Sequence, residues 1–211
     1  MTQEIFTDIF KKNLWGSSES VSGCGSEIRH TINLRHNIAY LIKSLNIKSI
    51  LDVPCGDMNW MKMVNLEGKK YEGWDIVSDI IVKNKEVFRD RPNFHFFCKD
   101  VLRDKMPCVD LIICRDLIIH FPFEATWKLL ENIVKSGSKY ILISYHVSDA
   151  PNINIKFGNC YPANLEKPPI SFHKALFYIK EEEEDKYMAL YEVKTIRSYV
   201  KNYFNYRLCS Y

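Results

Sequence analysis

Apolar and polar positions follow two periods along most of the chain. Short segments rich in Ile, Val, Leu, Phe and Tyr predict strands, and segments with apolar residues three or four positions apart predict amphipathic helices between several of them. The predicted strands cover 48–53, 69–76, 93–101, 109–116 and 139–146, and the predicted helices cover 27–45, 77–89 and 123–135. Strands that alternate with helices are typical of a parallel sheet with both faces covered. The pattern therefore predicts a doubly wound, mostly parallel α/β fold.

The pattern changes after His146. Residues 148–170 hold four of the eight prolines and show no clear period, which predicts a long irregular loop, and loops of that length tend to be functional. The strand-like segments 170–179 and 186–193 flank the acidic run KEEEED at 180–185. We therefore expect a C-terminal antiparallel hairpin whose acidic turn is solvated and is not a metal site.

Length and composition indicate one folded domain. No linker divides the 211 residues, and 46% of them are hydrophobic, so a packed core is expected. The segment 1–26 contains the Ser- and Gly-rich stretch WGSSESVSGCGS, which predicts either a leader or a loop that becomes ordered over a ligand. The chain 1–211 is therefore interpreted as a single domain, with an α/β core over 27–211.

Charge, apolar runs and cysteines argue against several classes of partner. The 29 basic and 26 acidic residues are scattered, so there is no basic stripe for nucleic acid, and no apolar run approaches the thickness of a bilayer. We therefore expect neither nucleic acid nor a membrane as a partner, and a cytoplasmic location. The seven cysteines, Cys209 among them, contain no C-x-x-C pair. Reduced thiols and no structural zinc site are the expectation.

Acidic residues follow the predicted strands at their carboxyl ends, where parallel sheets bind ligands. Asp52 and Asp57 flank the end of the first strand in SILDVPCGDMNW, Asp75 follows the second strand and Asp100 follows the third. The first loop has one glycine, Gly56, whereas a dinucleotide site typically has the three of G-x-G-x-x-G. The spacing favours a smaller, cationic cofactor.

These residues carry a resemblance to a known superfamily. LDVPCGDMNWM at 51–61, followed by WDI and KDV, resembles the class I S-adenosylmethionine-dependent methyltransferases. The resemblance implies a Rossmann-like fold, S-adenosylmethionine as cofactor and S-adenosylhomocysteine as product. It also implies that the loop from Asp52 to Asp57 surrounds the methionine part, that Asp75 binds the ribose hydroxyls and that Asp100 contacts the adenine amine. The other residues assigned to the cofactor are Pro54, Cys55, Gly56, Trp60, Ile76, Val101, Cys114 and Arg115. For Arg115, an internal ion pair is the alternative, and for Trp60 it is core packing.

A closer resemblance covers most of the chain. GSSESVSGCGS, LDVPCGDMNWM, CRDLIIHF and NLEKPP, in this order, are similar to the methyltransferase domain of the multidomain rhamnosyltransferases of large algal viruses. This resemblance implies O-methylation of a terminal sugar, with rhamnose as the first choice. It further implies a longer protein with fused glycosyltransferase domains, located in the host cytoplasm.

Methyl transfer to oxygen requires a base that removes the hydroxyl proton. Asp116 and His120 follow the fourth predicted strand, and their spacing stacks them on one side if Asp116 starts a helical turn. Asp116 then either orients the imidazole of His120 or takes the proton itself. The alternative is that Asp116 only caps a turn and His120 is a core or surface residue.

Other polar and aromatic residues are predicted to line the acceptor pocket. Hydroxyls of the N-terminal segment, a histidine after the fifth strand, and an aromatic ring and an amide in the long loop suit a sugar. These predicted substrate residues are Trp15, Ser17, Ser20, His146, Tyr161 and Asn164.

Other functions remain open at this point. One alternative keeps the same cofactor and takes RNA or a small metabolite as the acceptor. A second alternative is a nicotinamide-binding oxidoreductase, and a third is a binding domain without catalytic activity. A divalent metal between Asp116, His120 and His146 is a further alternative, although no metal site is the prediction.

Overall fold

A computed structural model describes residues 2–208 of the chain. Its centre is a seven-stranded sheet in the order β3-β2-β1-β4-β5-β7-β6. Strands β1 to β5 are parallel, and β7 runs antiparallel between β5 and β6. The strands are β1 Ser49–Asp52, β2 Lys70–Asp75, β3 Phe94–Cys98, β4 Leu111–Cys114, β5 Tyr140–His146, β6 Phe177–Lys180 and β7 Lys186–Glu192. The doubly wound fold and the C-terminal hairpin predicted from the sequence are confirmed.

Five α-helices accompany the sheet in the described part of the chain. They are α1 Thr2–Lys11, α2 Ile32–Ser44, α3 Ser78–Val87, α4 Phe123–Ser136 and α5 Val193–Leu208. The predicted helix over 27–45 begins as a 3-10 turn at Ile28–Thr31 and becomes α-helical at Ile32. Helices α1 and α5 were not predicted, and the predicted strand over 170–179 is regular only from Phe177.

Both faces of the sheet are covered by apolar layers, and successive side chains of each strand point alternately into one layer and the other. Ile50 and Leu142 face the apolar layer that contains α2, while Leu51 and Ile141 face the layer that contains α4 and α5. Helices α4 and α5 pack on each other, and the rings of Trp127 and Tyr203 stack with centroids 4.4 Å apart. Burial on both faces explains why the central strands are almost entirely apolar.

The long connection between β5 and β6 has no helix or strand over 148–170, as predicted. It is fixed by main-chain hydrogen bonds beside the carboxyl end of β4. The Gly158 N–H donates to the His120 carbonyl at 3.0 Å, and the Tyr161 N–H donates to the Ile119 carbonyl at 3.1 Å. This packing places the loop next to the sheet edge where β1, β2, β4 and β5 end. No helix in the described range 2–208 is both long and apolar enough to cross a membrane.

Candidate functional site

A cleft opens beyond the carboxyl ends of β1, β2 and β4. Strand β1 lies between β2 and β4, so the order of strands reverses here, and open parallel sheets bind ligands at such a point. The cleft encloses about 1040 Å³, counting the part that is open to solvent. Helix α1 and the segment after it lie across the cleft and contribute Phe6, Phe10 and Trp15 to its lining. The site is therefore covered by the N-terminus of the chain.

The structure brings most of the predicted cofactor residues together in this cleft. The residues that line it are Asp52, Pro54, Cys55, Gly56, Asp57, Trp60, Asp75, Ile76, Asp100, Val101 and Arg115. Cys114 does not line it, because the alternation along β4 points its side chain, which is fully buried, into the apolar core. For Cys114 the structure shows packing instead of the predicted contact.

Two buried carboxylates stand at the ends of β1 and β2. The Tyr71 hydroxyl donates to Asp52 Oδ2 at 2.6 Å, and the N–H groups of Gly56 and Val77 donate to Asp75 at 3.2 and 2.9 Å. Burial raises the pKa of Asp52 to about 7 and that of Asp75 to about 6, although these hydrogen bonds oppose the shift. Within the described residues, no salt bridge is formed by either carboxylate. Buried acids outside any salt bridge suit a ligand that brings hydroxyl groups or a positive charge.

Gly56 allows the backbone and the N-terminal segment to meet closely. Its φ is +52°, and a Cβ at this position would lie 2.2 Å from the hydroxyl oxygen of Ser22. The buried Asn84 side chain, which the sequence reasoning missed, donates to the Gly56 carbonyl at 2.7 Å. A side chain at position 56 would therefore push the N-terminal segment away from the loop.

We call residues 15–26 the strap, because this segment is tied across the loop after β1. Asp57 accepts hydrogen bonds from Ser20 Oγ at 2.9 Å, from the Val21 N–H at 2.9 Å and from Ser22 Oγ at 3.3 Å. Ser17 Oγ donates to Glu27 at 2.9 Å. Ser17 and Ser20, predicted to contact substrate, do not line the cleft; their hydroxyls hold the strap in place.

The far end of the cleft is formed by the residues after β2 and β3. Asp100 and Val101 line it, and Asp100 Oδ1 also accepts from the Leu102 N–H at 2.9 Å. Gln3 of α1 donates from Nε2 to the Ile76 carbonyl at 3.0 Å. Gln3 was missed because α1 was not predicted, and the apolar spacing of its buried Phe6 and Ile9 was the available signal.

Asp116 and His120 both line the cleft, but they do not share the predicted helical turn. Asp116 has φ +53°, and the 3-10 turn begins two residues later, at Ile118. His120 Nδ1 lies 2.9 Å from the Asn159 carbonyl oxygen. A carbonyl oxygen only accepts, so Nδ1 carries the proton and Nε2 presents a lone pair. The imidazole is thus oriented by the long loop and not by Asp116.

The carboxylate of Asp116 is held by two cations. Lys186 Nζ lies 2.9 Å from Asp116 Oδ2, and Arg115 Nη1 lies 3.1 Å from the same oxygen. Ser144 Oγ donates to Oδ1 at 3.1 Å. Burial alone would raise the pKa of Asp116, but the charges of Arg115 and Lys186 outweigh it and hold the pKa well below its usual value. Asp116 is therefore a permanent carboxylate and a poor proton acceptor.

Arg115 is a structural residue of the cleft wall. Its Nη2 pairs with Glu181 at 2.5 Å and donates to the Gly25 carbonyl at 2.8 Å, and its guanidinium lies 5.5 Å from the ring centroid of Trp60. Glu181 is 3% exposed, so the expectation of a fully solvated acidic turn is wrong at this residue. Arg115 therefore forms the internal ion pair that was the alternative to cofactor binding, and few of its N–H donors remain for a cofactor. Its bonds to Glu181 and Gly25 connect the hairpin to the strap.

The remaining predicted substrate residues lie outside the cleft lining. Tyr161 is 3% exposed and meets the Phe123 ring edge-on at 6.3 Å. Asn164 is buried, and its Oδ1 accepts from the Glu166 N–H at 2.9 Å, so it shapes the loop. His146 lies at the end of β5, and its main-chain N–H donates to the Ala163 carbonyl at 2.9 Å. The Nδ1 atom of its imidazole has no hydrogen-bond partner in the structure. Only Trp15 of this set reaches the cleft.

Comparisons with known proteins identify the fold. The N-methyltransferase NodS from Bradyrhizobium japonicum WM9, in complex with S-adenosylhomocysteine, matches with a TM-score of 0.63 and 11% identity over 89% of this chain and 97% of that chain. The magnesium protoporphyrin IX methyltransferase ChlM from Synechocystis PCC 6803, with bound SAM, matches with a TM-score of 0.60 and 13% identity over 91% and 96%. The chain has the class I methyltransferase fold.

The methyltransferase fold is also matched by TehB from Haemophilus influenzae, with a TM-score of 0.57 and 16% identity over 74% of this chain; the match spans 61% of TehB. No protein-family model matches the chain, and no curated protein is similar to it in sequence. The resemblance to the viral rhamnosyltransferases therefore stays a prediction. No group of three or more His, Cys, Asp or Glu side chains among the described residues is arranged to hold a metal ion.

Proposed function

We propose that this chain is an S-adenosylmethionine-dependent O-methyltransferase that acts on a sugar hydroxyl. The observation that carries the proposal is the pair of buried carboxylates, Asp52 and Asp75, which form no salt bridge among the described residues and stand at the point where the strand order of a methyltransferase fold reverses. The bound cofactors of NodS and ChlM agree with this choice of cofactor.

The residues of the cleft fit the parts of this cofactor. Asp75 accepts hydrogen bonds at the end of β2, which suits the paired ribose hydroxyls, and Asp52 adds a negative charge near the sulfonium. Gly56 keeps the loop backbone free of a side chain next to the strap. A nicotinamide dinucleotide is the weaker candidate because the loop has one glycine and not the three that cradle a pyrophosphate.

The cofactor supplies an electrophilic methyl group, and the chain supplies a base and a closed site. His120 Nε2 presents its lone pair in the cleft and accepts the proton of the attacking hydroxyl. Trp15 stacks on this imidazole, so the strap excludes water from one side of the base. Asp116, held by Arg115 and Lys186, stays ionised throughout.

A carbohydrate acceptor, with rhamnose as first choice, is suggested by the resemblance of the sequence motifs to the viral rhamnosyltransferases, and Asp116, which lines the cleft with His120, suits a sugar hydroxyl. Fused glycosyltransferase domains belong to the same proposal. RNA is less suitable as acceptor because the basic residues are scattered. NodS is an N-methyltransferase and ChlM acts on a porphyrin, so their acceptors do not point to one acceptor for this chain.

Calorimetry with S-adenosylhomocysteine tests the cofactor. We expect binding by the wild type, affinity about tenfold or more lower in Asp75→Asn, and no change in Asp79→Asn, since Asp79 is exposed in the first turn of α3 and does not line the cleft. Absence of binding by the wild type, or equal affinity in Asp75→Asn, would contradict the proposal. Mass spectrometry of methyl glycosides incubated with isotope-labelled S-adenosylmethionine then tests the acceptor, and labelling of RNA but of no glycoside would refute the sugar assignment.

A further inference from the structure

The hydrogen bonds of Asp116 leave one acceptor position free. Each carboxylate oxygen accepts about two hydrogen bonds. Oδ2 accepts from Lys186 at 2.9 Å and lies 3.1 Å from Arg115 Nη1 in an ion pair, whereas Oδ1 accepts from Ser144 alone at 3.1 Å. Gly25 packs beside Oδ2, where a Cβ would lie 3.5 Å away. The side chain is 23% exposed and lines the cleft, so Oδ1 can accept one bond from a ligand.

The backbone of Asp116 is held in an uncommon conformation that serves this arrangement. Its φ is +53°, and its N–H donates to Ser144 Oγ at 2.7 Å. Asp tolerates the left-handed region better than most residues, but the conformation still requires support from its surroundings. Ser144 of β5 and Lys186 of β7 give that support and are buried, at 0% and 4% exposure. The carboxylate is thus fixed before any ligand arrives.

His120 supplies a second acceptor in the same cleft. Its Nδ1 proton is used by the Asn159 carbonyl, so Nε2 is the ring nitrogen left with a lone pair for a ligand. The cleft therefore presents two hydrogen-bond acceptors, Asp116 Oδ1 and His120 Nε2, on residues four positions apart. A ligand that satisfies both has to offer two donors.

Charges around Asp116 disfavour an anionic ligand. Arg115 and Lys186 face the carboxylates of Asp116 and Glu181, and the four groups lie within 4 Å of one another in pairs. Glu183 lies 3.7 Å from Lys186 as a third carboxylate, so the acids outnumber the cations and the site has no excess positive charge to attract a phosphate. A neutral molecule with two neighbouring hydroxyls meets both conditions.

We propose that Asp116 and His120 recognise a vicinal diol: His120 Nε2 accepts the proton of the hydroxyl that becomes methylated, and Asp116 Oδ1 binds the adjacent hydroxyl. The inference rests on the proposed function. In the reaction the O–H proton moves to Nε2, the new O–CH3 bond forms as the S–CH3 bond breaks, and the bonding electron pair stays on sulfur. Asp116 keeps its charge and aligns the acceptor, and Lys186 is its positioning residue.

Paired substrates test the inference on the unmodified enzyme. We expect a methyl glycoside with a vicinal diol to be methylated with a kcat/KM about tenfold to hundredfold higher than its analogue lacking the adjacent hydroxyl, the usual size of one hydrogen bond to a charged group. Equal kcat/KM for the two substrates, or a preference for an amine acceptor, would overturn the inference. If S-adenosylhomocysteine binds but no glycoside reacts, the diol glycoside is titrated into the S-adenosylhomocysteine complex by calorimetry. Absence of binding in that titration also overturns the inference.

Two variants separate a role in aligning the acceptor from a role in folding of the protein. Asp116→Asn keeps the shape of the side chain, and we expect it to lose the preference for the diol while retaining affinity for S-adenosylhomocysteine. Lys186→Met should raise KM for the diol more than for the deoxy analogue, a difference that a purely structural role would not produce. Diol preference retained in Asp116→Asn contradicts the inference. Failure of S-adenosylhomocysteine to bind to the wild type would instead remove the proposed function itself.

Discussion

The indole ring of Trp15 stacks on the imidazole of His120, with ring centroids 5.2 Å apart and planes inclined by 25°. The two residues come from different parts of the chain: one begins the strap, and the other follows β4. Trp15 also packs against Phe6 of α1, with centroids 6.5 Å apart. The candidate base is therefore covered by the N-terminal segment, so the position of the strap and the alignment of the base depend on each other.

Removal of the Trp15 ring should uncouple the strap from the base. We expect Trp15→Ala to lower kcat/KM for methyl transfer about tenfold to hundredfold, because the imidazole loses its packing partner and water enters the cleft. Trp15→Phe retains an aromatic surface and should keep most of the activity. Steady-state kinetics of both variants provide the measurement, and unchanged kinetics in Trp15→Ala would show that the strap has no part in catalysis.

At saturating S-adenosylmethionine, with Asp52 and Asp75 already ionised, the pH dependence of kcat/KM for the acceptor should report His120. Burial lowers the pKa of His120 below the ordinary value of 6.5, and the neutral imidazole is the active form. Activity should therefore be at its plateau above pH 6.5 and fall with acidification, with a midpoint below 6.5. In His120→Gln the activity should be low and this limb absent. An acid limb that persists in His120→Gln would assign the base to another group.

The location of the cofactor cleft was predictable because its signal is local. A strand followed at once by Asp52, Gly56 and Asp57 places acids and a flexible turn at a sheet edge, and the same reasoning places Asp75 and Asp100. Parallel strands bring these ends together without any knowledge of the side-chain contacts.

The contacts that depend on distant partners were not predictable. Glu181 lies in a run of four glutamates, where a solvated turn is the ordinary interpretation, yet it is buried against Arg115, 66 positions earlier. Tyr161 and Asn164 looked suitable for a sugar, but packing of the long loop buries them. Helix α5 repeats apolar residues at Val193, Ile196 and Val200, a helical spacing that sequence reasoning overlooked beyond the strand-like run before it.

Gly56 should be essential for closure of the strap. In Gly56→Ala the new methyl group meets Ser22 Oγ, which would lie 2.2 Å away, and φ +52° is unfavourable for alanine. Gly68→Ala is a matched control, since Gly68 has φ +68° and no atom within 4 Å of the new methyl group. We expect both variants to lose about 1–2 kcal/mol of stability from backbone strain. Only Gly56→Ala should also lose affinity for S-adenosylhomocysteine by calorimetry; equal affinities in the two variants would contradict the close contact.

Cofactor binding should release protons near neutral pH. In the free protein, burial raises the pKa of Asp52 to about 7 and that of Asp75 to about 6, so both are partly protonated at pH 6.5. Ribose hydroxyls and a sulfonium favour the ionised carboxylates and lower these pKa values, so protons leave on binding. Calorimetry with S-adenosylmethionine in buffers of different ionisation enthalpy should show proton release at pH 6.5 and almost none at pH 8.5. Asp75→Asn should release fewer protons, and a buffer-independent enthalpy at pH 6.5 would refute the coupling.

The ion pair between Arg115 and Glu181 should be a determinant of stability as well as of the site. The two side chains are 4% and 1% exposed, and the pair joins β4 to the hairpin. Glu181→Ala leaves the guanidinium buried without its main partner, which typically costs about 3–5 kcal/mol. Glu184→Ala, at an exposed position of the same turn, should change stability by less than about 0.5 kcal/mol. Chemical denaturation of both variants measures the difference, and similar unfolding midpoints would mean that the hairpin does not depend on the pair. Because Arg115 also binds the Gly25 carbonyl and Asp116, Glu181→Ala should weaken diol recognition in whatever fraction remains folded.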